Sequence, residues 1–247
     1  MRFVLPLLIA AVQDEKTADE LLQAVRARMA AAKTLRMEVN MTFGERGRPP
    51  ARLSATVLLK GQDSWSFSLK YWANQRGSAP ELLRYISKGG KVFELEKKLE
   101  GLEPVIPAEW GSLFRASLPT DIVGPAAMIY SVEPPFPPPV VSGARRAGRE
   151  RLNGKDAEVI EYTMKYEVGM LQGVTLSVKA YVDPVDLRPL KREISSGTEL
   201  WTETFTAFVI DEEIPDGEFS YQTPSRLCQS RARQLATSAE LFGRYSG

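Results

Sequence analysis

The sequence predicts a mainly β fold with helices at both ends and in the middle, and roughly 9–11 antiparallel strands. Three segments near the start carry this prediction, because apolar and polar residues alternate through each of them almost without a fault. Strict alternation is typical of antiparallel strands that bury one face and expose the other. The apolar positions are Leu35, Met37, Val39, Met41 and Phe43, then Ala51, Leu53, Ala55, Val57 and Leu59, then Trp65, Phe67, Leu69 and Tyr71.

A helix is predicted over 17–33, directly before the first of these strands. Thr17 and Glu20 have the spacing of a capping box, in which each side chain accepts a hydrogen bond from the other residue's backbone N–H. Apolar residues then recur every three or four positions, which predicts one buried stripe along the helix. They are Ala18, Leu21, Leu22, Val25, Met29 and Ala32.

Turn residues divide the remaining strands into hairpins. The segments 44–50 and 60–63 are expected to join the first three strands, and 88–91 is the tip of a hairpin over 82–95. Strands resume after Gly148. They are predicted around a tight Asn153-Gly154 turn and over 174–182, 190–194 and 201–210, with 183–186 and 195–197 as turns and 219–221 closing the sheet.

The strand pattern stops in the middle of the chain and again after Pro224. Residues 107–132 are expected to form short apolar helices. The EPPFPPP segment over 133–139 has a polyproline-like composition, typical of a rigid crossing loop or of an SH3-type ligand. A last amphipathic helix is predicted over 225–242.

Composition argues against several functional classes. The chain has 247 residues and a net charge of +1, which does not point to a nucleic-acid partner. Histidine is absent, so the commonest general base and metal ligand is missing. The single Cys228 cannot form an intramolecular disulfide or a cysteine-based zinc site. We therefore expect no metal, no cofactor and no enzymatic activity.

Carboxylates and phosphate-binding loops do not change this expectation. The segment 148–156 resembles a Walker A loop only loosely, because Asp156 stands where Ser or Thr must hold magnesium. Glu199 and Glu203 lie on a predicted strand and Glu212 and Glu213 in a turn, where they are interpreted as solvated surface charges. A hydrolase on an unfamiliar scaffold is the least favoured hypothesis.

The first residues predict export. Arg2 precedes an apolar run that ends at Val12, and a polar segment follows, which is the pattern of a secretory signal peptide over 1–13. The run is too short to span a bilayer, which takes about 20 residues. The alternative is an N-terminal strand or helical turn of the domain itself. On the export interpretation the mature protein is soluble.

Four local patterns, in this order, resemble the outer-membrane lipoprotein carrier family (LolA/LolB-like proteins). The resemblance covers roughly residues 17–224, and the order of the patterns gives it more weight than any one of them. They are the helix leading into 35–43, the Ser-Lys-Gly-Gly-Lys hairpin followed by Val92-Phe93, the Asp183 turn through 187–191, and the closing segment from Phe208 through Ile214-Pro215 to Pro224.

The resemblance implies an incomplete, strongly curved antiparallel β-barrel with helices packed in its mouth. The implied organisation is a half-barrel domain over 14–224 and a C-terminal helix over 225–247. The concave face would hold lipid or lipoprotein acyl chains in the periplasm, and the protein would be a monomer. The candidate ligand-binding residues are Met37, Met41, Trp65, Phe67, Leu69, Tyr71 and Phe93.

Two features leave the function open. A turn of the carrier family supplies an arginine that helps to hold the helical lid, and here Gly61 stands in its place, within Lys60-Gly61-Gln62. The Met and aromatic residues above are also what an ordinary core between sheet and helix would contain. The first hypothesis is a periplasmic lipid-binding or carrier protein. The second is an envelope interaction or sensor module on the same fold, which reads a protein partner or a mislocalised lipoprotein.

Overall fold

The computed structural model describes residues 16–61, 64–72, 81–88, 91–97, 139–167, 172–220 and 226–227. These residues form one α-helix, one 3-10 helix and eleven strands. The elements are α1 (Ala18–Ala31), β1 (Thr34–Glu45), β2 (Ala51–Lys60), β3 (Ser64–Trp72), β4 (Glu81–Lys88), β5 (Lys91–Lys97), β6 (Val140–Leu152), β7 (Lys155–Lys165), β8 (Thr175–Asp183), β9 (Arg188–Ser196), β10 (Glu199–Ile210), the 3-10 helix (Asp216–Phe219) and β11 (Arg226–Leu227).

All strands belong to one antiparallel sheet with the order β11-β5-β4-β3-β2-β1-β10-β9-β8-β7-β6. The first and last strands of this order do not pair with each other, so the described sheet is open, consistent with a half-barrel. The predicted mainly β, antiparallel fold is confirmed. The helices predicted over 107–132 lie outside the described residues, and α1 is the one α-helix that the described part contains.

The helix α1 packs on one face of the sheet, which we call the helix-bearing face. Buried residues of this face form two clusters that meet near β10. The first cluster comprises Met29, Leu35, Met37, Val39, Met41, Leu53, Ala55, Val57, Leu59, Trp65, Phe67, Leu69, Tyr85, Val92, Phe205 and Phe208. The second cluster comprises Ala18, Leu21, Leu22, Val25, Ile160, Tyr162, Met164, Leu176, Val178, Ala180, Val182 and Ile194.

Both ends of α1 are held by specific contacts. At its start the predicted capping box is present: the Thr17 N–H donates to Glu20 Oε2 at 2.7 Å, and the Glu20 N–H donates to Thr17 Oγ1 at 3.2 Å. At its end Asp211 accepts from the Lys33 N–H at 2.8 Å and from the Arg28 guanidinium at 3.0 Å. The Lys33 N–H, with the nearby Arg28 charge, lowers the pKa of the Asp211 carboxyl.

A bulge reverses the alternation of β10 part-way along its length. On the C-terminal side of the bulge in β10, Phe208 pairs with Met37; on its N-terminal side, Phe205 pairs with Val39. The extra residue places both phenylalanines on the helix-bearing face, where their rings meet edge to face at 5.7 Å between centroids. On the N-terminal side of the bulge the same face receives Glu203 and Trp201, in register with β1.

Three predicted boundaries are wrong. The strand after the polyproline-like segment, β6, begins at Val140, well before Gly148, and carries two bulges. Residues Asp216–Phe219 form a 3-10 helix instead of beginning a closing strand. There Phe219 packs with Leu58 and Ile214 on the opposite, outer face of the sheet. Residues Arg226–Leu227, predicted as helix, pair with β5 as β11, and the rest of the predicted helix lies outside the described residues.

Two predicted turns are confirmed by their geometry. Asn153 and Gly154 both have positive φ, 50° and 83°, as the two-residue hairpin between β6 and β7 requires. In the turn after β8, Asp183 Oδ1 accepts from the backbone N–H groups of Val185 and Asp186, each at 3.0 Å.

Among the described residues, no helix is both long and apolar enough to span a membrane.

Candidate ligand-binding face

Five of the seven predicted ligand residues lie together in the first cluster. Met37, Met41, Trp65, Phe67 and Leu69 are all buried on the helix-bearing face. The register explains why, because β1, β2 and β3 run side by side without a shift and keep their alternation in phase. Rows of paired residues therefore cross the three strands, one of them from Leu35 through Leu59 to Trp65.

The expectation that Phe93 lies on the same face as the other candidates is wrong. The hairpin between β4 and β5 pairs Ser87 with Val92 and Ile86 with Phe93. Ser87 is in turn paired with Trp65, so Val92 shares the helix-bearing face and Phe93 lies on the outer face. The error arose because β4 is apolar on both faces, so its alternation does not say which residue of the next strand points inward.

Tyr71 is placed by register alone. Its backbone pairs with Leu53, and Leu53 pairs with Met41. The position therefore belongs to the same cross-strand row as Met41, while its side chain is not among those described.

The first cluster has the chemistry of an adaptable apolar surface. Three methionines supply flexible, polarisable side chains, and several aromatic rings supply flat contact area. Tyr85, Phe205 and Phe208 belong to it as well and were not predicted. Met37, Trp65 and Phe67 are 0% exposed, so an apolar ligand reaches them only when the groups covering them move apart. Within the described residues, α1 contributes Met29 alone to this cover.

A buried ion pair lies beside the first cluster on the same face. Arg192 Nε donates to Glu203 Oε2 at 2.7 Å, and both side chains are 1% exposed. The guanidinium also lies over the Phe205 ring, 5.9 Å from its centroid. The interpretation of Glu203 as a solvated surface charge is therefore wrong. The bulge in β10 is the reason, because it turns Glu203 from the outer face to the helix-bearing face.

Tyr162 extends this polar group on the side of the second cluster. Burial raises the pKa of the Tyr162 phenol, and the neighbouring Arg192 guanidinium opposes that rise by charge and by hydrogen bonding. The phenol is therefore neutral at physiological pH. Arg192, Glu203 and Tyr162 form a small polar group between the two clusters, which we call the Arg192 group.

One row of backbone pairs connects the Arg192 group with the predicted ligand residues. Each residue in the row is the direct cross-strand neighbour of the next, on seven consecutive strands. The order is Tyr71, Leu53, Met41, Glu203, Arg192, Ala180 and Ile160. Met41 is thus the first-cluster residue next to Glu203, with a cross-strand separation of about 5 Å.

A second buried carboxylate lies towards the β6 edge. Glu158 is 5% exposed and is paired with Arg146 at 3.3 Å and with Arg149 at 3.1 Å. The Arg149 side chain is mostly exposed, so this group opens to solvent at the edge strand. In the described part of the chain, no three acidic or cysteine side chains come together as possible metal ligands.

The turn in which the carrier family has its arginine is built for glycine here. Gly61 has a φ of +61°, and its N–H donates to the Lys33 carbonyl at 3.0 Å. A side chain at this left-handed position would be strained.

Comparison with solved structures gives distant matches. Solved structures similar to this chain include LprF from Mycobacterium bovis (11% identity, covering 80% of this chain and 94% of that one, TM-score 0.49). They also include the lipoprotein LppX from Mycobacterium tuberculosis (11%, 79% and 97%, 0.42) and a LolA superfamily protein from Nitrosomonas europaea (12%, 84% and 99%, 0.31).

LolA-like proteins, the family that the sequence resembles, are thus among the solved structures to which this chain is similar. No protein-family model matches the sequence, and no curated protein matches it.

Proposed function

We propose that the protein is a non-catalytic lipid-binding or carrier protein that holds acyl chains on the first cluster of the helix-bearing face. The observation that carries the proposal is the composition of that cluster. It joins two methionines of β1 with the aromatic rings of β3, β4 and β10 over a continuous apolar area of the sheet. Such a surface suits hydrocarbon chains of variable length and shape.

Burial of hydrocarbon supplies the driving force. Each methylene removed from water contributes about 0.8 kcal/mol, so a long acyl chain binds tightly without any polar contact. In the closed form described here the first cluster is buried, and binding therefore involves displacement of its cover, Met29 of α1 included. The signal peptide predicted over 1–13 supports a periplasmic location for this activity. We propose that the carrier acts there as a soluble monomer.

The test has two parts. The purified protein is extracted and analysed by mass spectrometry for bound lipid, and it is then titrated with a pyrene-labelled hexadecanoic acid. We expect co-purified lipid and uptake of the labelled chain. Reproducible absence of both would overturn the proposal and favour the envelope interaction or sensor hypothesis.

A matched pair of variants tests on which cluster the acyl chain binds. Met37 and Met164 are the same residue type, are both 0% exposed, and lie in the first and second cluster respectively. Met37→Gln and Met164→Gln keep the side-chain volume and each bury one new amide, so both variants lose about 1–3 kcal/mol of stability. Only Met37→Gln should weaken binding of the labelled chain, by about tenfold. Equal effects of the two substitutions would contradict this location.

A further inference from the structure

We propose that the Arg192 group is a head-group site, which holds the neutral carbonyl of an ester- or amide-linked acyl chain while the hydrocarbon lies on the first cluster. This inference rests on the proposed function and specifies its ligand class. The ligand would be an acyl ester or amide, in preference to a free fatty acid.

The Arg192 group lies directly beside the proposed hydrocarbon site. Glu203 is the cross-strand neighbour of Met41, and Arg192 is the neighbour of Glu203 on the next strand. Two strand spacings of about 5 Å separate Met41 from Arg192. A chain that lies across β3, β2 and β1, over Leu53 and Met41, therefore brings its first polar atoms to this pair.

Energetics is the second argument. Removing both charges of a buried ion pair in favour of apolar residues of similar volume is often neutral or stabilising. The cross-strand neighbours Met41 and Ala180 are apolar and would accommodate such a replacement. Stability of the sheet alone therefore gives little reason for the pair, and we infer that recognition of a polar ligand group is that reason.

Charge balance decides the class of head group. Glu203 already neutralises Arg192 through the 2.7 Å bond, so a ligand carboxylate would add a second buried negative charge beside Glu203. An ester or amide carbonyl adds no charge, and it accepts hydrogen bonds from a guanidinium, which has five N–H donors in one plane.

The other buried carboxylate of this face does not have the same surroundings. Glu158 lies towards the edge of the sheet with two arginines, one of which is mostly exposed. Neither Glu158 nor its partners is in register with a first-cluster residue. Among the described residues, the Arg192 group supplies the buried charges that the register brings next to the proposed hydrocarbon site.

The experiment uses three pyrene-labelled hexadecyl probes of equal length, which end in a methyl ester, a carboxylate or a methyl group. Each is titrated into the wild-type chain, Glu203→Gln, the double variant Arg192→Met/Glu203→Leu, and Glu150→Gln as a control. Glu150 pairs with Lys179 at 2.9 Å in a solvent-exposed bond, so its loss changes one charge away from the Arg192 group.

We expect the wild type and Glu150→Gln to bind the ester about tenfold more tightly than either other probe. Glu203→Gln leaves Arg192 without its counter-charge and should reverse the order, so that the carboxylate binds more tightly than the ester. The double variant should bind all three probes alike, and it tests the site even where Glu203→Gln does not fold.

Two results would overturn the inference, and they are distinguishable. Equal affinities of the wild type for the three probes, with no change in the variants, would mean that chains bind without head-group recognition. The proposed function would then stand and the Arg192 group would be structural. Failure of the wild type to bind any probe would remove the proposed function together with the inference.

Discussion

The two clusters of the helix-bearing face lie on one continuous sheet, yet the described chain fills them differently. The second cluster receives Ala18, Leu21, Leu22 and Val25 from α1, packed against mainly aliphatic strand residues. The first cluster receives Met29 alone from α1 and is richer in methionine and aromatic rings. Among the described residues, α1 thus covers mainly one half of the face, and the other half is the one on which we propose that the acyl chain binds.

The Arg192 group lies where the two halves meet. Arg192 contacts Phe205 of the first cluster, and its charge acts on Tyr162 of the second. A buried pair at this boundary separates an apolar surface that packs against the protein's own helix from one proposed to pack against a ligand. We therefore expect that the Arg192–Glu203 pair can be replaced without unfolding the protein. Each cluster, in contrast, should be stabilised mainly by its own contacts.

The largest expected effect comes from breaking the pair at the boundary. Arg192→Met alone leaves Glu203 buried without its guanidinium and should lower the free energy of unfolding by about 3–5 kcal/mol. Arg192→Met/Glu203→Leu should recover most of this loss, because no buried charge remains, although Tyr162 loses its hydrogen bond to Arg192. Urea unfolding followed by circular dichroism measures both, and a double variant as unstable as the single one would show that the pair itself stabilises the sheet.

Weakening the packing of α1 should destabilise the second cluster more than the first. Leu22→Ala removes a buried contact between α1 and the second cluster and should cost about 2–5 kcal/mol. Amide hydrogen exchange should accelerate in α1 and β7–β8 before it does in β1–β3. Uniform acceleration through all strands would mean that the two clusters unfold as one cooperative unit.

The smallest effect concerns the anchor at the end of α1 and depends on pH. The pKa of Asp211 is lowered in the folded state, so its contribution is present above the unfolded value of about 3.9 and is lost as the pH falls through the folded pKa. Asp211→Asn keeps an acceptor for the Lys33 N–H and removes the charge that faces Arg28.

We therefore expect Asp211→Asn to be less stable than the wild type by about 0.5–1 kcal/mol at neutral pH, since the carboxylate is partly exposed. The difference should disappear below the folded pKa of Asp211. Urea unfolding of both proteins across this pH range measures it. If the difference in stability between the two proteins stays constant as the pH falls through the folded pKa of Asp211, the charge is not its cause. Backbone geometry would then be the cause, because Asp211 has a φ of +61°.

Local patterns in the sequence predicted much of the fold. The capping box of α1, the alternation of β1 to β3 and the Asn153-Gly154 hairpin each depend on residues close together in the chain. Five candidate ligand residues follow from that alternation, because three strands in unshifted register keep their odd-numbered residues on one face.

Other features depended on partners distant in the sequence. Whether Val92 or Phe93 faces inward follows from the pairing of β5 with β4, and β4 is apolar on both faces. The positions of Phe205 and Glu203 follow from a bulge that forms only when β10 pairs with β1. Phe219 leaves the predicted strand because Leu58 and Ile214 give it a site on the outer face.

By itself, the sequence determined that this chain makes an antiparallel sheet with one apolar face, since alternation and turn chemistry act over a few residues. Only the tertiary structure decided that a buried ion pair lies on that face beside Met41. A register shift of one residue exchanges the two faces of a strand, and no local pattern in β10 predicts where that shift occurs.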